Sequence, residues 1–172
     1  MLPGVAITYY GEELAMTDQW LSYNDTIDPQ RKQQGPENYA KLSRDPARTP
    51  FQWDDSKQAG FSTNYKTWLP VADSYKTINV QKERLDPKSH LNVFKRLTKM
   101  RKTKQVLQDG DLVTVAIDNL LILKREIRKI QLFVVLNLGT ADQTLRLEDV
   151  FSTYKKLFTA SVVSSNAGIN RG

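Results

Sequence analysis

The stretch Leu2-Pro3-Gly4-Val5-Ala6-Ile7-Thr8-Tyr9-Tyr10-Gly11-Glu12-Glu13 is the one on which the fold turns. Val5 to Tyr10 is a short, continuous apolar run, rich in β-branched and aromatic residues, and Gly11 stops it. Such a run predicts a strand buried on both faces, the kind found in parallel sheets. Residues just beyond such a strand stand where α/β enzymes place their sites. A lone parallel strand cannot satisfy its own backbone donors and acceptors, so it needs neighbouring strands on both sides.

Working outward, residues 17 to 70 hold the tryptophans and five of the seven prolines, with little periodicity. They read as a long, ordered, loop-rich excursion with one short helix near Glu37 to Leu42. A loop of that length is uncommon in a compact domain and is usually functional. Asp86-Pro87 then opens a helix, with Asp86 placed to cap and Pro87 in the first helical position. Leu91, Phe94, Leu97 and Met100 recur at helical spacing and predict an inward apolar stripe running to about Thr103.

Beyond Val106 the pattern changes to short strands: Leu112 to Ile117, Leu120 to Arg125, Ile130 to Leu138, Thr144 to Leu147 and Tyr154 to Ala160. Turns are expected at Gln108-Asp109-Gly110 and Asp118-Asn119. Strands spaced about 8–12 residues apart predict an antiparallel sheet module. The tail Ser164 to Gly172 reads as turn-like.

Composition narrows the chemistry. The 172 residues are 40% hydrophobic and 26% charged, which predicts a packed core rather than a disordered tail. A closed (β/α)8 barrel needs about 250 residues, so this length excludes a complete one. There is no cysteine, which excludes disulfides, thiolate metal sites and a cysteine nucleophile. His90 is the only histidine, so no multi-imidazole metal centre can form. The net charge of +6 concentrates in Lys95-Arg96 through Lys104. That run reads as the solvated face of an amphipathic helix, not as a nucleic-acid surface. No apolar run approaches the roughly 18 residues that would span a membrane, and the first ten residues do not read as a signal peptide.

Residues 2–16 resemble the eighth barrel strand of the α-amylase superfamily (glycoside hydrolase family 13). Ser43-Arg44-Asp45-Pro46-Ala47-Arg48-Thr49-Pro50-Phe51-Gln52-Trp53-Asp54-Asp55 resembles a block of its α-glucosidase and oligo-1,6-glucosidase branch, and Ala59-Gly60-Phe61-Ser62 and Trp68-Leu69-Pro70-Val71 continue it. The wording is nearest to insect maltases. The resemblance implies an α/β plus β fold: the last strand and helix of a (β/α)8 barrel over residues 1–104, then an incomplete antiparallel C-terminal β-sandwich over 105–172. It also implies an internal or truncated fragment.

Retaining glycoside cleavage needs two carboxyl groups about 5–5.5 Å apart. The resemblance implies that these, and a third acid from an Asn-His-Asp motif, lie upstream of Met1. No catalytic residue is therefore assigned to this chain, and it alone is expected to be inactive. His90 reads as a helix-surface or packing residue. Glu12 and Glu13, adjacent on a strand, would point to opposite sides, and structural hydrogen bonding is their expected use. Asp54 and Asp55 read as turn or capping residues, and Arg48 and Trp53 as scaffolding. Arg44 is the substrate-binding candidate: the resemblance implies that it pairs with an upstream aspartate and hydrogen-bonds the non-reducing-end glucose. Its planar fork suits that double task. Asn24-Asp25-Thr26 is a glycosylation sequon.

The function implied is part of an α-glucosidase acting on maltose-type oligosaccharides or disaccharides, secreted or membrane-anchored, with no metal or organic cofactor and no nucleic-acid partner. Two alternatives stand beside it. One is a non-catalytic domain like the heavy subunits of amino-acid transporters, in which a membrane anchor would lie outside this chain. The other is a free-standing β module with a binding role.

Overall fold

The computed structural model describes residues 1–151; Tyr154 to Ala160 and Ser164 to Gly172 lie outside the described residues. The chain divides into two compact units, with the boundary inside the longest helix. Among the described residues, one comprises residues 7–94 and the other residues 1–6 together with 95–151.

Within residues 7–94, regular structure is sparse. Single 3-10 turns lie at Glu12–Leu14, Tyr39–Leu42, Asp45–Arg48, Lys57–Gly60 and Asp73–Lys76. Helix α1 is Pro29–Lys32, α2 is Val80–Leu85, and α3 begins at His90 and runs to Thr103. Leu14, Val80 and Leu91 form the buried core, with Met16, Phe51 and Ile78 packed against them. The loop-rich reading of residues 17–70 holds, and the expected helix near Glu37 to Leu42 is the 3-10 turn Tyr39–Leu42.

The expected strand Val5 to Tyr10 does not form. Val5 and Ile7 are 91% and 90% exposed, and no described strand pairs with the run. The cause is the one that made the run diagnostic: a strand of this kind takes its hydrogen bonds from flanking strands, and the sheet here is built elsewhere. Glu12 and Glu13 consequently stand in a 3-10 turn rather than on a strand. Glu12 Oε2 accepts from Tyr9 N at 3.2 Å, and Glu13 Oε2 accepts from Gly11 N at 2.8 Å. Structural hydrogen bonding is what both carboxylates do.

Asp86 and Pro87 precede α3 instead of opening it. Asp86 Oδ1 accepts from Lys88 N at 2.8 Å in a turn, and Ser89 Oγ accepts from Asn92 N at 3.2 Å. Ser89, not Asp86, thus serves the first turn of the helix. The apolar stripe is as expected: Leu91 is buried and Phe94, Leu97 and Met100 are half-buried, while Lys95, Arg96 and Lys99 are exposed. Glu83 of α2 also serves this helix start. Its Oε2 accepts from Leu91 N at 2.7 Å, while its buried Oε1 has no partner. Burial pushes this carboxyl above its ordinary range, against the opposing pull of the Leu91 hydrogen bond.

In the other unit, α4 (Gln105–Gln108) leads into an antiparallel meander in the order β1 (Asp111–Ile117), β2 (Leu120–Ile127), β3 (Ile130–Asn137). Ile117 pairs with Leu120 and Ile127 with Ile130, so both connections are two-residue turns. Asp118 and Arg128 supply their positive φ values, 50° and 55°. Central β2 is the buried strand, with Leu120, Ile122, Leu123, Lys124 and Arg125 all inside. Arg125 is wholly buried and fully engaged: Nε and Nη2 donate to Gly110 O at 3.1 and 2.7 Å, and Nη1 donates to Met1 O at 2.9 Å. The expected strand Thr144 to Leu147 is not one; Leu147 instead opens the single-turn helix α5, Leu147–Val150. No helix among the described residues is long and apolar enough to cross a membrane.

Two outcomes follow from this packing. Gly110→Ala is expected to lower stability by about 1–3 kcal/mol, because its Cβ would press on the backbone oxygen of Val106 and lie 2.9 Å from that of Glu126; urea titration of the two proteins checks this. Glu83 binds protons more tightly folded than unfolded, so its contribution to stability is greatest below the ordinary glutamate range and declines as pH rises through the raised value. Glu83→Gln keeps an acceptor for Leu91 N and is expected to flatten that decline, read as a smaller difference in melting temperature between pH 4 and pH 7.

Candidate functional site

Ser43 to Asp55 has no helical or strand period, yet hydrogen bonds tie it to several other parts of its unit. Gln52 is fully buried, and its Nε2 donates to Ser74 Oγ at 3.0 Å and Ile78 O at 3.1 Å. The carbonyls of Gln52 and Trp53 accept from Val80 N and Gln81 N, both at 3.0 Å, so this block seats the start of α2. Trp53 N and Asp54 N donate to Ala59 O at 2.9 and 3.2 Å. Tyr10 Oη donates to Thr49 O at 3.0 Å, and Gln19 N to Pro46 O at 3.1 Å.

The turn that brings Ala59 beneath Trp53 is tight. Gln58, Ala59 and Gly60 all have positive φ, at 56°, 55° and 64°. A Cβ at position 60 would collide with the Asp54 carboxylate, which explains why glycine stands there. Asp54 Oδ1 accepts from Ser56 N at 2.9 Å and from Ser56 Oγ, and these bonds hold its pKa below the usual carboxylate value. Asp55 pairs with Lys82 at 3.1 Å. Asp54 thus acts in the turn, as expected from the sequence, whereas Asp55 reaches out of it to Lys82 of α2.

Arg44 stands at the start of the 3-10 turn Asp45–Arg48. Its Nε donates to Asp28 Oδ2 at 3.0 Å and its Nη2 to Asp28 Oδ1 at 3.4 Å, a two-toothed pair. The Asp28 side chain is fully buried, whereas that of Arg44 is 56% exposed. The hydrogen bonds from Arg44 hold the Asp28 carboxyl below its ordinary range. The stability this gives is present above the unfolded aspartate value and is lost as pH falls through the lowered one.

Asp45 holds the arrangement together. It is 1% exposed, and its Oδ2 accepts from Ile27 N at 2.7 Å and from Asp28 N at 2.8 Å. One carboxylate thereby fixes the backbone from which Asp28 reaches Arg44. Asp28 and Asp45 were not singled out from the sequence. The available signals were Asp28-Pro29, a helix-opening pair, and the position of Asp45 beside Arg44 in the block.

A cleft of about 210 Å³ opens nearby between Tyr10, Glu12, Thr17, Asp18, Ala47 and Thr49, but Arg44 is not on its lining. His90 is half-buried at the first position of α3 and stands apart from this block in sequence. Asn24 is exposed in a separate turn before Asp28. The structure therefore brings Arg44 to a carboxylate of its own chain and leaves Asn24 outside the cluster. Among the described residues no group of three or more metal-ligating side chains is found.

Asp45→Ala would leave two backbone N–H groups without their acceptor, at a cost of about 1–3 kcal/mol. Amide exchange at Ile27 and Asp28 is expected to quicken roughly 10- to 100-fold, with Leu14 of the core unchanged; hydrogen exchange followed by NMR checks it.

The salivary alpha-glucosidase of Aedes aegypti is 50% identical over 167 residues, covering 96% of this chain and 28% of that protein. Maltase A1 of Drosophila melanogaster is 47% identical over 167 residues, covering 95% and 29%. The mouse (Mus musculus) amino acid transporter heavy chain SLC3A1 is 33% identical over 155 residues, covering 88% and 21%. The chain thus spans less than a third of the length of these relatives. Among solved structures, the trehalulose synthase MutB superposes with a TM-score of 0.66 at 34% identity, over 74% of this chain and 26% of that one. The alpha-glucosyl transfer enzyme XgtA gives 0.66 at 29% identity, over 76% and 24%. The model of the alpha-amylase catalytic domain matches residues 1–110, and with these relatives it establishes that the chain belongs to the α-amylase family.

Proposed function

We propose that the chain is part of a secreted α-glucosidase that removes terminal α-linked glucose from maltose-type substrates with retention. In this reading residues 1–104 form the closing portion of the catalytic barrel, and residues 105–172 form the C-terminal β domain. The observation that carries it is the Arg44–Asp28 pair at the head of the block: a guanidinium fixed on one edge by a buried carboxylate and more than half exposed. Asp28 occupies Nε and Nη2, which leaves the Nη1 N–H groups to donate to a sugar hydroxyl. A cation held this way costs little rotamer freedom on binding and orients the terminal ring.

The role of this chain's residues is binding and orientation. In this reading the bond-breaking carboxyl groups belong to other residues of the enzyme, and Glu12, Glu13, Asp54 and Asp55 are engaged in local hydrogen bonds or an ion pair. Higher identity to the alpha-glucosidases than to the transporter heavy chain, 50% against 33%, favours the enzyme over the transporter-subunit reading.

The test is a chimera in which residues 1–110 replace the matching segment of Drosophila melanogaster Maltase A1. It is expected to hydrolyse p-nitrophenyl α-glucoside, and the 172-residue chain alone is expected to give no turnover above a mock preparation. Arg44→Ala in the chimera should reduce kcat/KM roughly 10- to 100-fold, the worth of a hydrogen bond from a charged donor. A folded chimera without activity, an unchanged kcat/KM in Arg44→Ala, or turnover by the chain alone would contradict the reading.

A further inference from the structure

Asn24-Asp25-Thr26 is the only Asn-X-Ser/Thr triplet in the sequence, and the sugar-site reading leaves it unused. The triplet is folded into a turn. Asp25 N and Thr26 N donate to Ser22 O at 3.1 and 3.0 Å, and Ser22 Oγ donates to Asp25 Oδ2 at 2.6 Å. Asn24 and Asp25 are exposed at the outside of that turn. Thr26 is 1% exposed, and its Oγ1 donates to Ser22 O at 2.9 Å.

These facts separate the two halves of the motif. The asparagine amide is open to solvent and can carry a bulky group in the folded loop. The threonine hydroxyl, which the modifying enzyme must read with it, is inside and already bonded. We infer that Asn24 carries an N-linked glycan that is added while the chain is being made, before this loop closes on Thr26. The inference rests on the secreted reading proposed above.

The chemistry is a single transfer. Asn24 Nδ2 forms a bond to C1 of an oligosaccharide donated by a lipid-linked pyrophosphate. The bond between C1 and the pyrophosphate oxygen breaks, the lipid pyrophosphate leaves with its electron pair, and one amide proton is released. The folded loop then presents the glycan just before Ile27 and Asp28, whose N–H groups Asp45 holds.

The test expresses residues 1–172 behind a cleavable secretion signal in insect cells and assays the total signal-cleaved chain, inside the cells and out. Supplying the signal separates this inference from the secreted reading, since delivery to the secretory pathway no longer depends on it. Enzymatic deglycosylation in heavy-oxygen water is expected to increase gel mobility and leave heavy oxygen at position 24. Thr26→Ser should retain the mobility shift, while Asn24→Gln and Thr26→Ala should abolish it. An unmodified Asn24 peptide as the main form of the signal-cleaved chain, or a shift that survives Asn24→Gln, would overturn the inference.

Discussion

The Asp45 carboxylate is the point on which the loop that carries Arg44 depends. A loop with no helical or strand ladder must still satisfy its backbone donors, and a buried unpaired N–H costs about as much as a hydrogen bond is worth. Asp45 resolves this for Ile27 and Asp28 with one oxygen. Because Arg44 precedes Asp45 directly, the same turn that aims the carboxylate inward leaves the guanidinium at the surface. The Arg44–Asp28 pair is thus a consequence of loop closure, and the closure explains why a buried carboxylate and an exposed cation meet there.

The second constraint acts on Val5 to Ile7. Val5 and Ile7, 91% and 90% exposed, are costly to present to water, at about 25 cal/mol for each Å² of apolar surface. Nothing in the run is polar enough to suggest a solvated loop. Its exposure fits a surface that other strands cover in the family's catalytic domain, within which residues 1–110 match. The β meander differs, since its central strand is buried between its own neighbours and its arginine is satisfied by Gly110 and Met1.

Legibility followed the kind of interaction involved. The three strands of the meander and the helix stripe at Leu91, Phe94, Leu97 and Met100 are readable because their partners are local or regularly spaced. The hairpin turn at Asp118-Asn119 is as expected from its turn-forming residues, whereas the one at Arg128, with positive φ on an arginine, has no such signal in the sequence. The Val5 to Tyr10 run has the composition of a strand without a described strand to pair with, and the spacing that predicts a strand at Thr144 to Leu147 gives way to the helix Leu147–Val150. Arg44 was visible through the block in which it stands. Asp28 and Asp45 were not, because their roles depend on contacts across 16 to 18 residues of aperiodic chain.

The account is tested most directly by a structure, with glucose bound, of an active α-glucosidase carrying residues 1–110. It predicts Arg44 Nη1 within about 3 Å of a hydroxyl of the terminal glucose while Nε still faces the Asp28 carboxylate. A glucose ring held entirely by other residues, with the Arg44 guanidinium turned away from it, would contradict the account.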